Sequence, residues 1–167
     1  MTKYYTGIGA RKTPAFVLKI MEEIAVILAK KTWILRSGGA EGADSAFERG
    51  CNYYLPGEKE IYLPWKRFNG NNSNLYNISG YAYKMAESLH PAWDKCSSAV
   101  RKLHSRNMHQ VLGPDLKTPS NALICWTPNG KDSGGTGQAI RLAEKHNIFV
   151  LNLYNHSYER IIEIVSK

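Results

Sequence analysis

The stretch KYYTGIGARKTPAFVLKIMEEIAVILAKKTWILRSGG, residues 3–39, decides the fold class. Its first residues, KYYTGIGA, are a short apolar run that stops at glycines, which is how a buried strand ends. In the next segment Phe16, Val17, Ile20, Met21, Ile24, Ile27 and Leu28 recur at helical spacing. Thr13 is suited to cap that helix and Pro14 to open it. TWILRSGG is a second strand that again runs out into glycines. A strand, a long helix and a second strand imply a parallel pair joined by a crossover.

The pattern repeats outward. Residues 40–54, AEGADSAFERGCNYY, read as a short helix and residues 58–65, EKEIYLPW, as a third strand. Residues 66–77 are polar and rich in Asn and Gly, a loop. The spacing predicts helices over 78–89 and 92–112, broken at Pro91. NALICW (121–126) is a fourth strand, TPNGKDSGG (127–135) a loop and TGQAIRLAEKHN (136–147) a helix. IFVLNLY (148–154) is a fifth strand and SYERIIEIVSK (157–167) a closing helix. The expected architecture is a Rossmann-like three-layer α/β/α domain. Its mostly parallel sheet has about five strands in the order 3-2-1-4-5. One domain spans 1–167, with residues 66–102 as a variable loop-helix insertion.

Composition narrows the function classes. The chain has 167 residues, 43% hydrophobic and 22% charged, the proportions of a globular protein. No apolar run approaches the roughly 20 residues of a membrane span. The N-terminus lacks an apolar signal region, so the sequons at Asn71, Asn77 and Asn155 carry no weight and a cytoplasmic location is expected. Cys51, Cys96 and Cys125 form no Cys-x-x-Cys pair, which suits reduced thiols. The net charge of +8 favours an anionic partner, a nucleotide or a nucleic acid, although a generally basic surface has the same composition.

In a doubly wound sheet, ligands bind outside the carboxyl ends of the strands where the strand order reverses. Three such ends carry glycine-rich loops that lead into helices: GIGARK, SGGAEGAD and TPNGKDSGGTG. Glycine lets a phosphate come close, and the N–H groups of a helix start attract it. The first loop offers Gly7, Gly9, Ala10, Arg11 and Lys12, with Arg11 able to pair a phosphate. From the second, Ser37, Gly38 and Gly39 would line a sugar or phosphate. Asp44 would bind ribose hydroxyls or else brace its own helix. From the third, Ser133, Gly134, Gly135, Thr136, Gly137 and Gln138 form the candidate phosphate cradle, with Thr127 at its base. Arg106 and Asn107 lie late in the long helix, pointing towards the sheet. Pro64, Trp65 and Lys66 put an aromatic beside basic residues, and Trp126 ends a strand; these are candidates for stacking on a base or for covering the sheet.

Several chemistries are excluded. Lys12 stands where a dinucleotide fingerprint needs its third glycine, and no P-loop or nucleophile elbow is present. His90, His104, His109, His146 and His156 show no metal-ligand spacing with cysteines or acids. Neither a metal nor a cofactor is expected.

The loops together resemble the SLOG superfamily of Rossmann-like domains, most closely the DNA-processing protein A (DprA) family. GIGARKTP is similar to that family's Gly-Ser-Arg-x-x-Thr-Pro, and SGGAEGADSAFERG to its Ser-Gly-x-Ala-Arg-Gly-Ile-Asp-x-Ala. Ser105–Asn107 matches its Ser-Arg-Asn, and SGGTGQA its Ser-Gly-Thr/Ser loop. The resemblance covers residues 4–50 and 103–152, and it implies a nucleotide ligand or single-stranded DNA as partner. It also implies a dimer or larger homo-oligomer. Glu41 stands where DprA proteins usually have arginine. More distantly the chain resembles the LOG-type phosphoribohydrolases, whose Gly-Gly-x-Gly-Thr-x-x-Glu ends in a catalytic glutamate. Here Arg141 occupies that position, and arginine is not a general base. No catalytic residue is therefore assigned. The leading expectation is a non-catalytic binder of a nucleotide-derived molecule, ADP-ribose-like or cyclic. A DprA-like single-stranded DNA binder and a divergent N-glycosidase are the alternatives.

Overall fold

The computed structural model describes residues 1–54 and 57–167. Five strands, β1 (Tyr4–Gly7), β2 (Ile34–Ser37), β3 (Lys59–Ile61), β4 (Ala122–Cys125) and β5 (Phe149–Asn152), form one sheet. Its order is β3-β2-β1-β4-β5, and every pairing is parallel. Tyr5 stands in register with Leu35 on one side and Ala122 on the other, so β1 is the central strand. This is the expected Rossmann-like topology and order.

Among the described residues six α-helices flank the sheet, five of them in the crossovers and the last after β5: α1 (Ala15–Lys30), α2 (Ala43–Tyr53), α3 (Gly80–Leu89), α4 (Ser98–Leu112), α5 (Gly134–Lys145) and α6 (Tyr158–Ser166). The strands alternate their side chains between two cores, as the period of 2 requires. Ile124 enters the core under α1, α2 and α6, with Met21, Ile24, Phe47 and Ile161. Its neighbours Leu123 and Cys125 enter the other core, under α3, α4 and α5, with Ala82, Met108 and Leu142. Of the helical stripe read in α1, Val17, Met21, Ile24 and Leu28 are buried, Ile20 and Ile27 are half-buried, and Phe16 is exposed at the helix start.

Four local details differ from the sequence reading. Thr13 does not cap α1; its hydroxyl donates to the Ala10 carbonyl at 2.6 Å, and Pro14 takes the cap position. β3 is short because the chain turns after Tyr62, which bridges to Leu75 instead, and Pro64 cannot donate to a ladder. The helix expected over 92–112 is two pieces, a single 3-10 turn at Trp93–Lys95 and α4. The break is set by Ser97, whose hydroxyl accepts from the Val100 N–H at 3.3 Å. Helix α5 begins at Gly134, two residues before the expected start, so two of the loop's glycines belong to its first turn.

Within 66–102, α3 is part of the second core, with Ala82 and Ala86 fully buried. All three cysteines are free, and no helix among the described residues is long and apolar enough to cross a membrane.

Candidate functional site

Sequential strands run outward from β1 to β3, then the chain returns to β4 on the other side of β1. The order reverses between β1 and β4, and a cleft of about 400 Å³ opens there at the carboxyl ends of the strands. Gly9, Ala10 and Arg11 form one wall, Ala40 and Asp44 another, and Ser133–Thr136 a third. The fourth is a face of α4 with Leu103, His104, Arg106, Asn107 and Gln110.

Arg106 anchors the floor. It is 5% exposed, and its Nη1 donates to the carbonyls of Gly38 and Tyr62, the latter at 3.0 Å. Its Nε donates to Asn107 Oδ1 at 3.1 Å. Phe68 lies beneath the guanidinium, 5.7 Å from ring centre to Cζ. Burial lowers the pKa of Arg106 to about 10, and the carboxyl of Asp44 works against that shift. Asp44 is itself buried, which raises its pKa to about 6; Arg106 and the N–H groups of Ala40 and Gly38 oppose the rise. Both side chains press on Gly38, where a Cβ would sit 2.5 Å from Arg106 Nη1 and 2.8 Å from Asp44 Oδ2. The cleft floor therefore holds a guanidinium that is strapped by carbonyls and faced by one buried carboxyl whose pKa is raised.

The first turn of α5 forms the wall facing Arg106. Ser133 precedes it without a side-chain cap bond, so the turn's leading N–H groups are not closed off by that hydroxyl. Asn107 donates to the Gly135 carbonyl at 3.4 Å, tying this turn to Arg106. Gln110 adds an independent sign. It is 1% exposed and lines the cleft, yet its Nε2 has no hydrogen-bond partner among the described residues. A buried donor left open costs free energy unless something fills it.

The structure brings together ten of the sequence-derived candidates: Gly9, Ala10, Arg11, Asp44, Arg106, Asn107, Ser133, Gly134, Gly135 and Thr136. The others stand elsewhere for identifiable reasons. Ser37 donates to the Gly7 carbonyl at 2.7 Å and joins two strands, and Gly7 itself packs on the Phe47 ring. Gly38 is buried beneath Arg106, and Gly39 faces a separate polar groove with Asn69 and Asn71. Lys12 and Lys66 are exposed outside the cleft. Pro64 is buried, and Trp65 packs edge-on against Phe68 at 5.1 Å. Trp126 leans on the first core and on Tyr154, while Thr127 accepts from Asn152 at 2.7 Å. Gly137 is packed on the Asp132 backbone. Gln138 is fully buried, donating to the Ala86 carbonyl at 3.0 Å and meeting His104 at 2.7 Å. Arg141 leans back to Asp132, with its Nη1 3.2 Å from the carbonyl.

Sequence reasoning missed His104 and Gln110. The available signal was their place on α4: Gln110 follows Arg106 by one turn, and His104 precedes Asn107 by three residues.

A larger groove of about 870 Å³ lies at the opposite, amino end of the strands, lined by Lys3, Trp33, Ile34 and Phe149 among others. Among the described residues no helix start lines it, so it lacks the converging N–H groups of the switch-point cleft.

The fold is that of a Rossmann-like α/β protein, with a cleft at the sheet's switch point. No protein-family model matches the chain, and neither does any curated protein. Among solved structures it is similar to DNA processing protein A from Helicobacter pylori, studied for its single-stranded DNA binding mode. The identity is 18% and the TM-score 0.54, over 99% of this chain and 74% of that one. The molybdenum cofactor carrier protein of Chlamydomonas reinhardtii aligns over 100% of both chains at 14% identity, with a TM-score of 0.47. At 18% identity, the first likeness is one of fold.

Proposed function

We propose that the chain is a SLOG-type domain that binds a nucleotide or nucleotide-derived signalling molecule, ADP-ribose-like or cyclic, in the switch-point cleft. It holds the ligand without cleaving it, as a sensor or sequestering protein of the cytoplasm, in a dimer or larger assembly. The observation that carries the reading is the convergence of the buried Arg106 guanidinium with the first turn of α5. A phosphate there would meet backbone N–H groups and a fixed positive charge in a low-dielectric floor. The unfilled Gln110 amide supports a ligand in the same cleft. The catalytic roles stay unassigned because Arg141 replaces the acid of the LOG signature and pairs with Asp132 at 3.6 Å.

Single-stranded DNA is the second reading. The likeness to the Helicobacter protein and the charge of +8 favour it. Against it, Arg106 is buried and committed to three acceptors, which suits one enclosed phosphate better than an extended backbone.

Calorimetric titration with nucleotides and with oligonucleotides separates the two, together with mass spectrometry of any small molecule released on denaturation. Gly135→Asp is the matching variant. A Cβ at this position is 3.5 Å from Asn107 Nδ2, an ordinary contact, so the variant folds, but it puts a carboxylate at the helix start. Nucleotide binding should fall at least roughly 100-fold as the anion site is lost. Unchanged affinity would remove the phosphate assignment.

A further inference from the structure

Gln138 and His104 together fix a chemical preference that the phosphate site alone does not have. The Gln138 side chain is fully buried and its Nε2 donates to the Ala86 carbonyl at 3.0 Å. Its Oε1 is therefore the atom that meets His104 Nδ1 at 2.7 Å. A carboxamide oxygen only accepts, so Nδ1 must carry the proton. Burial lowers the pKa of His104; the Gln138 hydrogen bond opposes that shift, while the nearby His90, Arg106 and Arg141 add to it, so the neutral ring is favoured. With the proton on Nδ1, Nε2 presents a lone pair, and it has no partner among the described residues.

The imidazole lies beside the phosphate cradle: His104 lines the cleft, and its Cε1, between the two ring nitrogens, is 3.9 Å from the position of a Cβ on Gly135. With Nδ1 engaged by Gln138, Nε2 is the ring nitrogen left to a ligand. A ligand whose phosphate rests on the first turn of α5 thus brings its neighbouring atoms to an acceptor. Only a hydrogen-bond donor is favourable there. The phosphodiester and deoxyribose of an internal DNA unit offer none, whereas a ribonucleotide offers its sugar hydroxyls. We infer that His104, locked by Gln138, is a specificity-determining acceptor that reads a ribose hydroxyl and selects ribonucleotides over deoxyribonucleotides. This rests on the phosphate-binding reading of the same cleft and sharpens its ligand class.

The test is calorimetric titration of the full chain with the four ribonucleoside 5′-monophosphates, their 2′-deoxy and 2′,3′-dideoxy counterparts, and a short oligoribonucleotide. The wild-type protein should prefer the ribo form by roughly 10-fold, the scale of one hydrogen bond to an otherwise unfilled partner. The preference should be lost at the 2′-deoxy step, which assigns the contact to the 2′-hydroxyl; a loss only at the dideoxy step would overturn the selection against deoxyribonucleotides. His104→Phe should bind ribo and deoxy forms alike, at the wild-type level for the dideoxy form. Gln138→Leu keeps the imidazole but frees its tautomer, and should shrink the preference without abolishing binding. A wild-type ratio near 1 would overturn the inference and leave the phosphate site standing. Equal losses for ribo and deoxy ligands in His104→Phe would also overturn it, by making His104 a phosphate ligand. Tighter binding of the oligoribonucleotide than of every monomer would overturn the assignment to a small ligand. No binding of any monophosphate would overturn the phosphate reading itself, and the inference with it.

Discussion

Asp44 is 6% exposed on the floor of a cleft proposed to bind anions, and its pKa is raised to about 6 by burial. The folded value lies above the unfolded one of about 4, so the folded state holds the proton more tightly. The resulting stabilisation is full below about pH 4 and is lost as the pH rises through about 6. The shift of about 2 units corresponds to up to about 3 kcal/mol. Asp44→Asn keeps an acceptor for the Ala40 N–H and removes the titration. Urea unfolding at pH 4 and pH 7.5 should show the wild type losing stability relative to the variant as the pH rises. Parallel profiles would reject a buried, titrating Asp44. The same substitution removes a negative charge from the cleft, so nucleotide affinity at pH 7.5 should rise several-fold.

At this scale the sequence was informative about charge and silent about commitment. Arg106, Asn107, Gly134 and Gly135, singled out by residue type and motif order, meet at the cleft. Ser37, Thr127 and Gln138 have the same polar chemistry, but their hydrogen-bonding atoms are used by Gly7, Asn152, Ala86 and His104. Each of those partners is distant in sequence, and only the folded chain reveals that the donor or acceptor is spent. Gln110 is the converse, a polar residue in a buried stripe with an atom to spare.

At the scale of elements, the start of α5 rests on Gly134, whose φ of +63° is left-handed. A Cβ there would meet nothing within 4 Å, so Gly134→Ala tests backbone strain alone. It should cost about 1 kcal/mol in urea unfolding. A negligible change would show that the turn relaxes to another conformation. Helix α4 rests on the Ser97 cap, and Ser97→Ala should cost about 1 kcal/mol. Because α4 carries His104, Arg106, Asn107 and Gln110, frayed first-turn residues should leave nucleotide affinity intact: the cap lies two turns before Arg106. The break between Trp93–Lys95 and α4 was hidden in the sequence since Ala92, Trp93 and Val100 all tolerate helix. The Ser97 hydroxyl decided it, in competition with a continuous hydrogen-bond ladder.

The whole molecule was the most legible level. Buried parallel strands are short apolar runs, their crossover helices show a 3.6 period, and glycines mark the strand ends; together these leave few topologies for five strands. The same scale separates the two ligand readings. A net charge of +8 attracts any polyanion, so some oligonucleotide binding is expected at low salt whatever the cleft does. Such binding draws on exposed residues such as Lys12, Lys66 and Lys131 and releases many counterions. A nucleotide held on Arg106 and α5 engages one enclosed phosphate group and releases few. Raising salt from about 50 to about 200 mM should therefore weaken a 20-mer of thymidylate on the order of 100-fold, and a mononucleotide only a few-fold. Saturating oligonucleotide should also fail to displace bound nucleotide, and Gly135→Asp should spare oligonucleotide binding. If instead the oligonucleotide competes with the nucleotide, and Gly135→Asp abolishes both, the cleft is part of a DNA path. The positive surface and the switch-point cleft would then be one site.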